Sequence, residues 1–180
     1  MKTSLVERAL AIAAEAHKDQ VRKEGSIPYI VHPVMVAWKL REAGFGDTVV
    51  AAALAHDILE DTEYPDWKLE EELGTEVMRV VRAVTNDDSL AWTDKKKRYI
   101  ETVEEGGEDA WAVATADKIH NAESLLAAHA RLGEALWDAF KASKEEKLWF
   151  EEAMLAMLRK NWSHPLVDEY AALVERMRAL

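Results

Sequence analysis

The sequence predicts an all-α protein, a compact multi-helix bundle forming a single domain over residues 1–180. Three observations carry this. Nearly every segment has apolar residues at helical spacing. No segment combines period-2 alternation with β-branched enrichment. No low-complexity linker or internal repeat divides the chain, and its length suits one domain with a sizeable core.

The elements follow in order. Ser4 and Glu7 fit a capping box, and Leu5, Ala9, Ile12, Ala13 and Ala16 form one face of a first helix. Val21 to Pro28 contains Gly25 and Pro28 and is expected to be a loop. Pro33 suits the first turn of a second helix that runs to Ala43 and stops at Gly44. Asp47 is placed to cap a third, from Thr48 to about Glu60. Asp66 and Thr75 are candidate caps of two short helices separated by Gly74. Thr93 or Asp94 opens a charged helix that ends at Gly106–Gly107, and Asp109 to about Ala128 forms a long alanine-rich one. Two more precede Asn161, the second opened by a capping box at Ser143 and Glu146, and Pro165 opens the last. Trp38, Trp111, Trp137 and Trp149 sit in helical patterns and are read as packing residues.

Composition narrows the function. The net charge of −11 argues against nucleic acid and anionic membranes as partners, yet leaves room for a small anionic ligand in one locally basic or metal-containing pocket. No apolar run is long enough to span a bilayer. Glu7 and Glu15 interrupt the apolar pattern of the N-terminal segment, which argues against a signal peptide. Cysteine is absent, so a metal has only His, Asp and Glu to hold it. These features fit a cytoplasmic protein.

The chemistry concentrates in VAAALAHDILEDT, Val50 to Thr62. An apolar helix ends there in His56, Asp57, Glu60 and Asp61. Adjacent helical residues project roughly 100° apart, so His56 and Asp57 reach one ion only at a helix end or groove. A salt-bridged, solvated helix C-terminus is the alternative. Acids at that end oppose the helix dipole, and a cation in front of them relieves the conflict. His32 precedes Pro33 and is biased toward an extended backbone at the mouth of its helix. Asp117 interrupts the apolar face of Val113, Ala116, Ile119 and Ala122, where a carboxylate is costly unless paired or metal-bound. Lys118 and His120 are expected to project elsewhere. Two His and two Asp suit Mn²⁺, Fe²⁺ or Zn²⁺. Such a set leaves open positions for water and substrate, with Glu60 and Asp61 free to orient the water or take its proton.

These residues fall in four blocks: AHKDQVRKEGSIPYIVHPVMVA, AALAHDILEDT, ELGTEVMRVVRAVT and ADKIHNAESL. Together they resemble the hydrolase domain of RelA/SpoT homologues, within the HD-domain metal phosphohydrolases. The usual forms are AHxxQxRKxGxPYxxHPxxVA, AALLHDxxEDT, FGxxVxxxVxxVT and KLADRLHNxRxL. The blocks occur in the family's order and cover roughly residues 9 to 126. With no synthetase domain or regulatory tail, the chain resembles the stand-alone small alarmone hydrolases of the metazoan SpoT-homologue type. Residues 133–180 fall outside the strong resemblance and are expected to complete the bundle.

The resemblance implies a helical fold, Mn²⁺, and removal of the 3′-pyrophosphate from ppGpp or pppGpp to give GDP or GTP and pyrophosphate. It implies His32, His56, Asp57 and Asp117 as metal ligands and Glu60 and Asp61 as the pair that activates water. Arg22 and Lys23 would contact the guanine and a nearby phosphate, and Asn121 and Ser124 the ribose. Without it, Arg22 and Lys23 read as solvated loop charges and Asn121 as a polar residue satisfied in the bundle. Lys97 or Arg98 is a further candidate phosphate contact, against a solvated face balanced by Glu101, Glu104 and Glu105. His17, His120, His129 and His164 are read as structural.

The chain departs from the pattern at three places. GSIPYIVH has an extra residue between Gly25 and Pro28. Ala114–Thr115 replaces Lys-Leu, which is expected to remove a cation near the metal. Glu123 replaces an arginine. These bear on the nucleotide, and NADPH or a deoxynucleoside monophosphate remains an alternative substrate. A non-catalytic metal- or nucleotide-binding module is the alternative of a different class, and the Glu60–Asp61 pair favours the enzyme.

Overall fold

A computed structural model describes residues 3–22, 27–140 and 142–180. The all-α class is borne out. The helices are α1 (Leu5–Ala16), α2 (Val31–Glu42), α3 (Asp47–Ala55), α4 (Ile58–Asp61), α5 (Asp66–Leu73), α6 (Thr75–Ala83), α7 (Trp92–Leu132), α8 (Lys144–Asn161) and α9 (Pro165–Arg178), with a 3₁₀ helix at Gly133–Ala139. Among the described residues the one extended pairing is an isolated antiparallel bridge between Val21 and Pro28. None of the described helices is long and apolar enough to cross a membrane.

Helix α3 is the inner element. Every residue from Val49 to Ala55 is buried, and the helix packs against α1, α2, α6 and α7. Its run of alanines explains how four neighbours fit: small side chains let helix axes approach at the near end of the usual 8–10 Å range. The second half of α7 plays the same part on the other side of the core, with Ala110, Ala112, Val113, Ala114, Ala116 and Ile119 fully buried. Helices α8 and α9 pack on α7 and on each other. The C-terminal segment therefore extends the core, through Leu158, Tyr170, Val174 and their neighbours.

The predicted boundaries are mostly right, and the exceptions are informative. The third helix does not run to Glu60. It stops at Ala55, Asp57 adopts φ −92° and ψ −6°, and α4 restarts at Ile58. Gly46 rather than Asp47 occupies its N-cap, and Pro65 and Gly74 hold the cap positions expected for Asp66 and Thr75. His32 is helical rather than extended, because α2 begins one residue before it. Ser143 and Glu146 form the complete capping box, whereas Ser4 makes its half through the Glu7 amide. Trp38 is not a packing residue: 61% of it is exposed on α2.

The charged helix and the alanine-rich helix expected on either side of Gly106–Gly107 are present but joined end to end in α7. Gly107 has φ +73° and ψ −167° and breaks the helical path there, a conformation that strains any residue with a Cβ. Gly106 does a different job. A Cβ on it would lie 2.6 Å from the Ala110 Cβ and 2.8 Å from the Ala83 Cβ on α6. We expect Gly106→Ala to lower stability by about 1–3 kcal/mol through overpacking, and Gly107→Ala by about 1–2 kcal/mol through backbone strain. The check is the denaturation midpoint at constant m-value; an unmoved midpoint in both variants refutes this account of the bend.

Candidate metal centre and catalytic cavity

Three elements bring the four predicted metal ligands together: His32, His56 and Asp57 form a group close enough to hold one ion, and Asp117 stands against both histidines. His32 comes from the first turn of α2, His56 and Asp57 from the break between α3 and α4, and Asp117 from the second half of α7. The break resolves the geometric difficulty of a His-Asp pair on a helix, since two adjacent residues face the same point only when the helical path is interrupted between them. His32 Nε2 lies 3.4 Å from Asp57 Oδ2 and 3.0 Å from Asp117 Oδ1. His56 Nε2 lies 3.2 Å from Asp57 Oδ1 and 3.6 Å from Asp117 Oδ1. One donor atom each from His32, His56 and Asp57 falls within 4.8 Å of the others.

The donor set fits a divalent ion. His56 Nε2 is buried and has no hydrogen-bond partner in the protein, although two carboxylates stand close to it. Its Nδ1 is 2.7 Å from the Ala53 carbonyl, an acceptor only, so Nδ1 keeps its proton in either charge state. Nε2, the nitrogen that faces the carboxylates, is the one that exchanges a proton for a metal. Burial alone would lower the His56 imidazole; Asp57 and Asp117 more than offset this and hold it up at about 9. Burial alone would raise Asp117, but the imidazoles of His32 and His56 and the Lys118 ammonium hold it well below the usual carboxylate range. Such a cluster stands in for a metal with a proton.

A second layer of residues orients the first, and the sequence did not reveal it. His120, read as structural and expected to project elsewhere, places Nδ1 2.8 Å from His32 Nδ1. Burial first, then the nearby positive charges of His32 and Arg22, lowers His120 to about 4, so it is neutral and can accept the His32 proton. The Tyr29 hydroxyl lies 2.8 Å from Asp57 Oδ2 and 2.7 Å from Asp61 Oδ2. Burial and these two carboxylates push its phenol well above its ordinary range. Tyr29 thus ties a ligand to the predicted catalytic pair. It stacks on His17 at 4.8 Å, and His17 Nδ1 lies 2.7 Å from Gln20 Oε1. Gln20 Nε2 in turn donates to the Asp61 carbonyl at 2.6 Å.

These groups open onto a cavity of about 570 Å³. Glu60 and Asp61 both line it. Glu60 is held by Asn86, whose backbone N–H and side-chain amide donate to Oε2 at 3.1 and 2.8 Å. Arg22 also lines it and donates to Asn121 Oδ1 at 2.9 Å, while Asn121 Nδ2 donates to Asp117 Oδ1 at 2.6 Å. The predicted base-contacting arginine is therefore wired to a predicted ligand. Lys23 lies outside the described residues, as does Gly25 with most of the lengthened loop. Ser124 is half-buried and is not part of the cavity lining.

The basic wall is not where the sequence placed it. Lys97 and Arg98 are exposed, and Arg98 pairs with Glu101. Lys96, one residue earlier on α7, faces the cavity and donates to Asn86 Oδ1 at 3.0 Å. Lys118 also lines it and is 9% exposed, with Nζ 3.7 Å from Asp117 Oδ2, rather than projecting away. Burial, then the charge of Lys118, brings Lys96 down to about 8. Two departures from the family pattern lie off the cavity. Ala114 and Thr115 are fully buried, with the Thr115 hydroxyl bonded to the Trp111 carbonyl, and Glu123 is exposed. Neither Ala114 nor Glu123 lines the cavity.

A helical bundle that gathers two histidines and two aspartates at a helix break matches the HD-domain family model over residues 9–144, and the chain belongs to the HD-domain family. Within it, the chain is 38% identical over 125 residues to the guanosine-3′,5′-bis(diphosphate) 3′-pyrophosphohydrolase MESH1 of Xenopus tropicalis, covering 68% of this chain and 70% of that protein. It is 36% identical over 126 residues to a probable GTP pyrophosphokinase of Mycobacterium leprae, of whose length the match spans only 16%. Among solved structures, lmo0812 from Listeria monocytogenes superposes with a TM-score of 0.76 at 34% identity, covering 83% of this chain and 99% of that one. A metazoan ortholog of SpoT, described as hydrolysing ppGpp, superposes with a TM-score of 0.81 over 100% of this chain and 99% of its own; at 24% identity this is a likeness of fold.

The protonated cluster predicts how metal uptake depends on pH. Below about 9 an incoming ion must displace the His56 proton. Affinity should therefore rise with pH, by about tenfold per unit for one displaced proton, and level off above that value. Chelator competition with Mn²⁺ and Zn²⁺ between pH 6 and 9 measures it, together with proton release in weak buffer. A flat profile refutes the picture of a proton occupying the metal's place.

Proposed function

We propose that this chain is a divalent-metal phosphohydrolase that removes the 3′-pyrophosphate of ppGpp, giving GDP and pyrophosphate, with pppGpp giving GTP in the same way. One observation carries the reading: the four-residue donor set, the Glu60–Asp61 pair and the Arg22–Asn121 pair all face one cavity. A passive metal-binding module has no need of an acid pair beside the metal. The relatives' names support the guanosine bis(diphosphate) in particular.

In this reading His32, His56, Asp57 and Asp117 hold the ion, with Mn²⁺ the expected metal, since imidazole with carboxylate suits it. A bound divalent ion acidifies water and polarises a phosphoryl oxygen. The remaining work belongs to the chain. Glu60, fixed by two hydrogen bonds from Asn86, receives the proton of the attacking water. The new bond forms between the water oxygen and the phosphorus attached to the ribose 3′-oxygen; the bond from that phosphorus to the 3′-oxygen breaks, and the 3′-oxygen takes up a proton. Asp61, held by Tyr29 and by Gln20 through its carbonyl, orients the water. Arg22, with Lys23, meets the guanine and a nearby phosphate. Asn121 is assigned to the ribose and is held ready by Arg22 and Asp117; Ser124, which does not line the cavity, takes no part.

Purified protein with Mn²⁺ should release pyrophosphate, not phosphate, from ppGpp, and should do so faster than it acts on NADPH or deoxynucleoside monophosphates. A preference for either of the others moves the protein to a different substrate within the family. Glu60→Gln should lose about 10²-fold or more in kcat, as for a lost general base, with metal content unchanged. Turnover near the wild-type rate in that variant removes Glu60 from the role.

A further inference from the structure

Three cations of the cavity, Lys96, Lys118 and Lys147, have no place in the mechanism above. Lys147 sits over the Phe140 ring, 3.9 Å from its centroid, and the other two share a different platform. Lys96 lies in the first half of α7 and Lys118 in the second, yet both reach the same pair of rings. Lys96 Nζ is 4.8 Å from the Phe150 centroid and 5.8 Å from that of Tyr99; Lys118 Nζ is 4.5 and 5.7 Å from the same two. Tyr99 and Phe150 meet edge to face at 5.9 Å and are both buried. Two ammonium groups are thus set side by side on one aromatic platform, where they repel each other and are partly stripped of water.

Nearby protein groups relieve this only partly. Lys96 donates to the neutral Asn86 amide oxygen. Lys118 stands 3.7 Å from Asp117 Oδ2, beyond hydrogen-bond reach, while Asp117 Oδ1 faces the histidines. Glu151, the other acid on this side of the cavity, takes the Tyr170 hydroxyl at 2.5 Å. Burial first, and then the charge of Lys118, lowers Lys96, whereas for Lys118 burial is outweighed by the carboxylates of Glu151 and Asp117, which raise it. Lys96 is thus the member of the pair left without a close carboxylate. An anion seated against both would lie next to Asp117, and so next to the metal centre.

We propose that Lys96 and Lys118 form a phosphate subsite that holds the outer phosphate of the pyrophosphate group whose inner phosphorus reacts at the metal. This rests on the phosphohydrolase reading and deepens it. The subsite selects a class of substrate: a diphosphate on the reacting position spans metal centre and lysine pair, whereas a monophosphate occupies the first alone. The alternative source of the same chemistry is the 5′-diphosphate of the nucleotide. The contact of Lys118 with Asp117 favours the reacting pyrophosphate, because the subsite adjoins the metal ligands.

The test is calorimetric binding of two probes, inorganic pyrophosphate and GDP, to the Mn²⁺-loaded protein and to Lys96→Met, Lys118→Met and Lys96→Arg. Methionine keeps an apolar chain on the rings and removes the charge. Pyrophosphate should weaken about tenfold or more in each methionine variant, as for a lost charged hydrogen bond. GDP should stay within about twofold, and Lys96→Arg should retain most of the pyrophosphate affinity. Unchanged pyrophosphate binding in the methionine variants overturns the subsite, and so does a loss of GDP as large as that of pyrophosphate. Lys96 is half-buried, so its methionine variant decides the matter if Lys118→Met does not fold. A wild-type protein that neither hydrolyses ppGpp nor binds pyrophosphate fails the phosphohydrolase reading itself. One that hydrolyses it while the variants bind pyrophosphate normally fails the subsite alone.

Discussion

The structure turns on a carboxylate that cannot sit alone. Asp117 lies in the middle of an alanine-rich helix, 8% exposed, with Ala116 and Ile119 sunk fully in the core beside it. An ionised carboxyl there is tolerated only with close positive or donor partners. The fold supplies them from three directions: His32 from α2, His56 from the end of α3, and Asn121 and Lys118 from its own helix. Removing one partner would leave the rest of the cluster uncompensated, which couples the core to the site. The alanines of α3 serve the same end, since they let α2 and α7 close on either side of the His56–Asp57 break.

How much of this was legible in the sequence depends on the distance over which each signal acts. Asp117 and His56–Asp57 stand out because polar residues interrupt apolar helical patterns, which is a local signal. Their convergence with His32 came from the resemblance of four motif blocks. The helix break at Asp57 was missed because the apolar periodicity continues through Leu59, and no glycine or proline marks the stop. The basic run was recognised but its phase was not. Successive residues of a helix point roughly 100° apart, so Lys96 faces the cavity while Lys97 and Arg98 face solvent. His120 and Tyr29 left no independent trace, because their roles exist only in contacts made 88 and 28 residues away along the chain.

The charge distribution shows the same contrast between local and global. A chain of net charge −11 is poorly suited to polyanions. Its cavity is nevertheless lined by cations, Arg22, Lys96, Lys118 and Lys147, as well as by acids, Asp57, Glu60, Asp61, Asp117 and Glu151. Buried charges act at short range and with little screening, so the sign of the pocket is set by these residues rather than by the surface.

The bend at Gly107 has a consequence for measurement in the literal sense. Asp117 and Lys118 lie on one limb of α7 and Lys96 on the other, with a single non-helical residue between the limbs. The separation between the metal cluster and the far lysine is therefore set by the angle of one helix, not by a flexible loop. Helix α7 has the form of a caliper: its limbs pack on α6 and α9, and in the proposed reaction the opening between them would gauge the length of the phosphate chain laid across it.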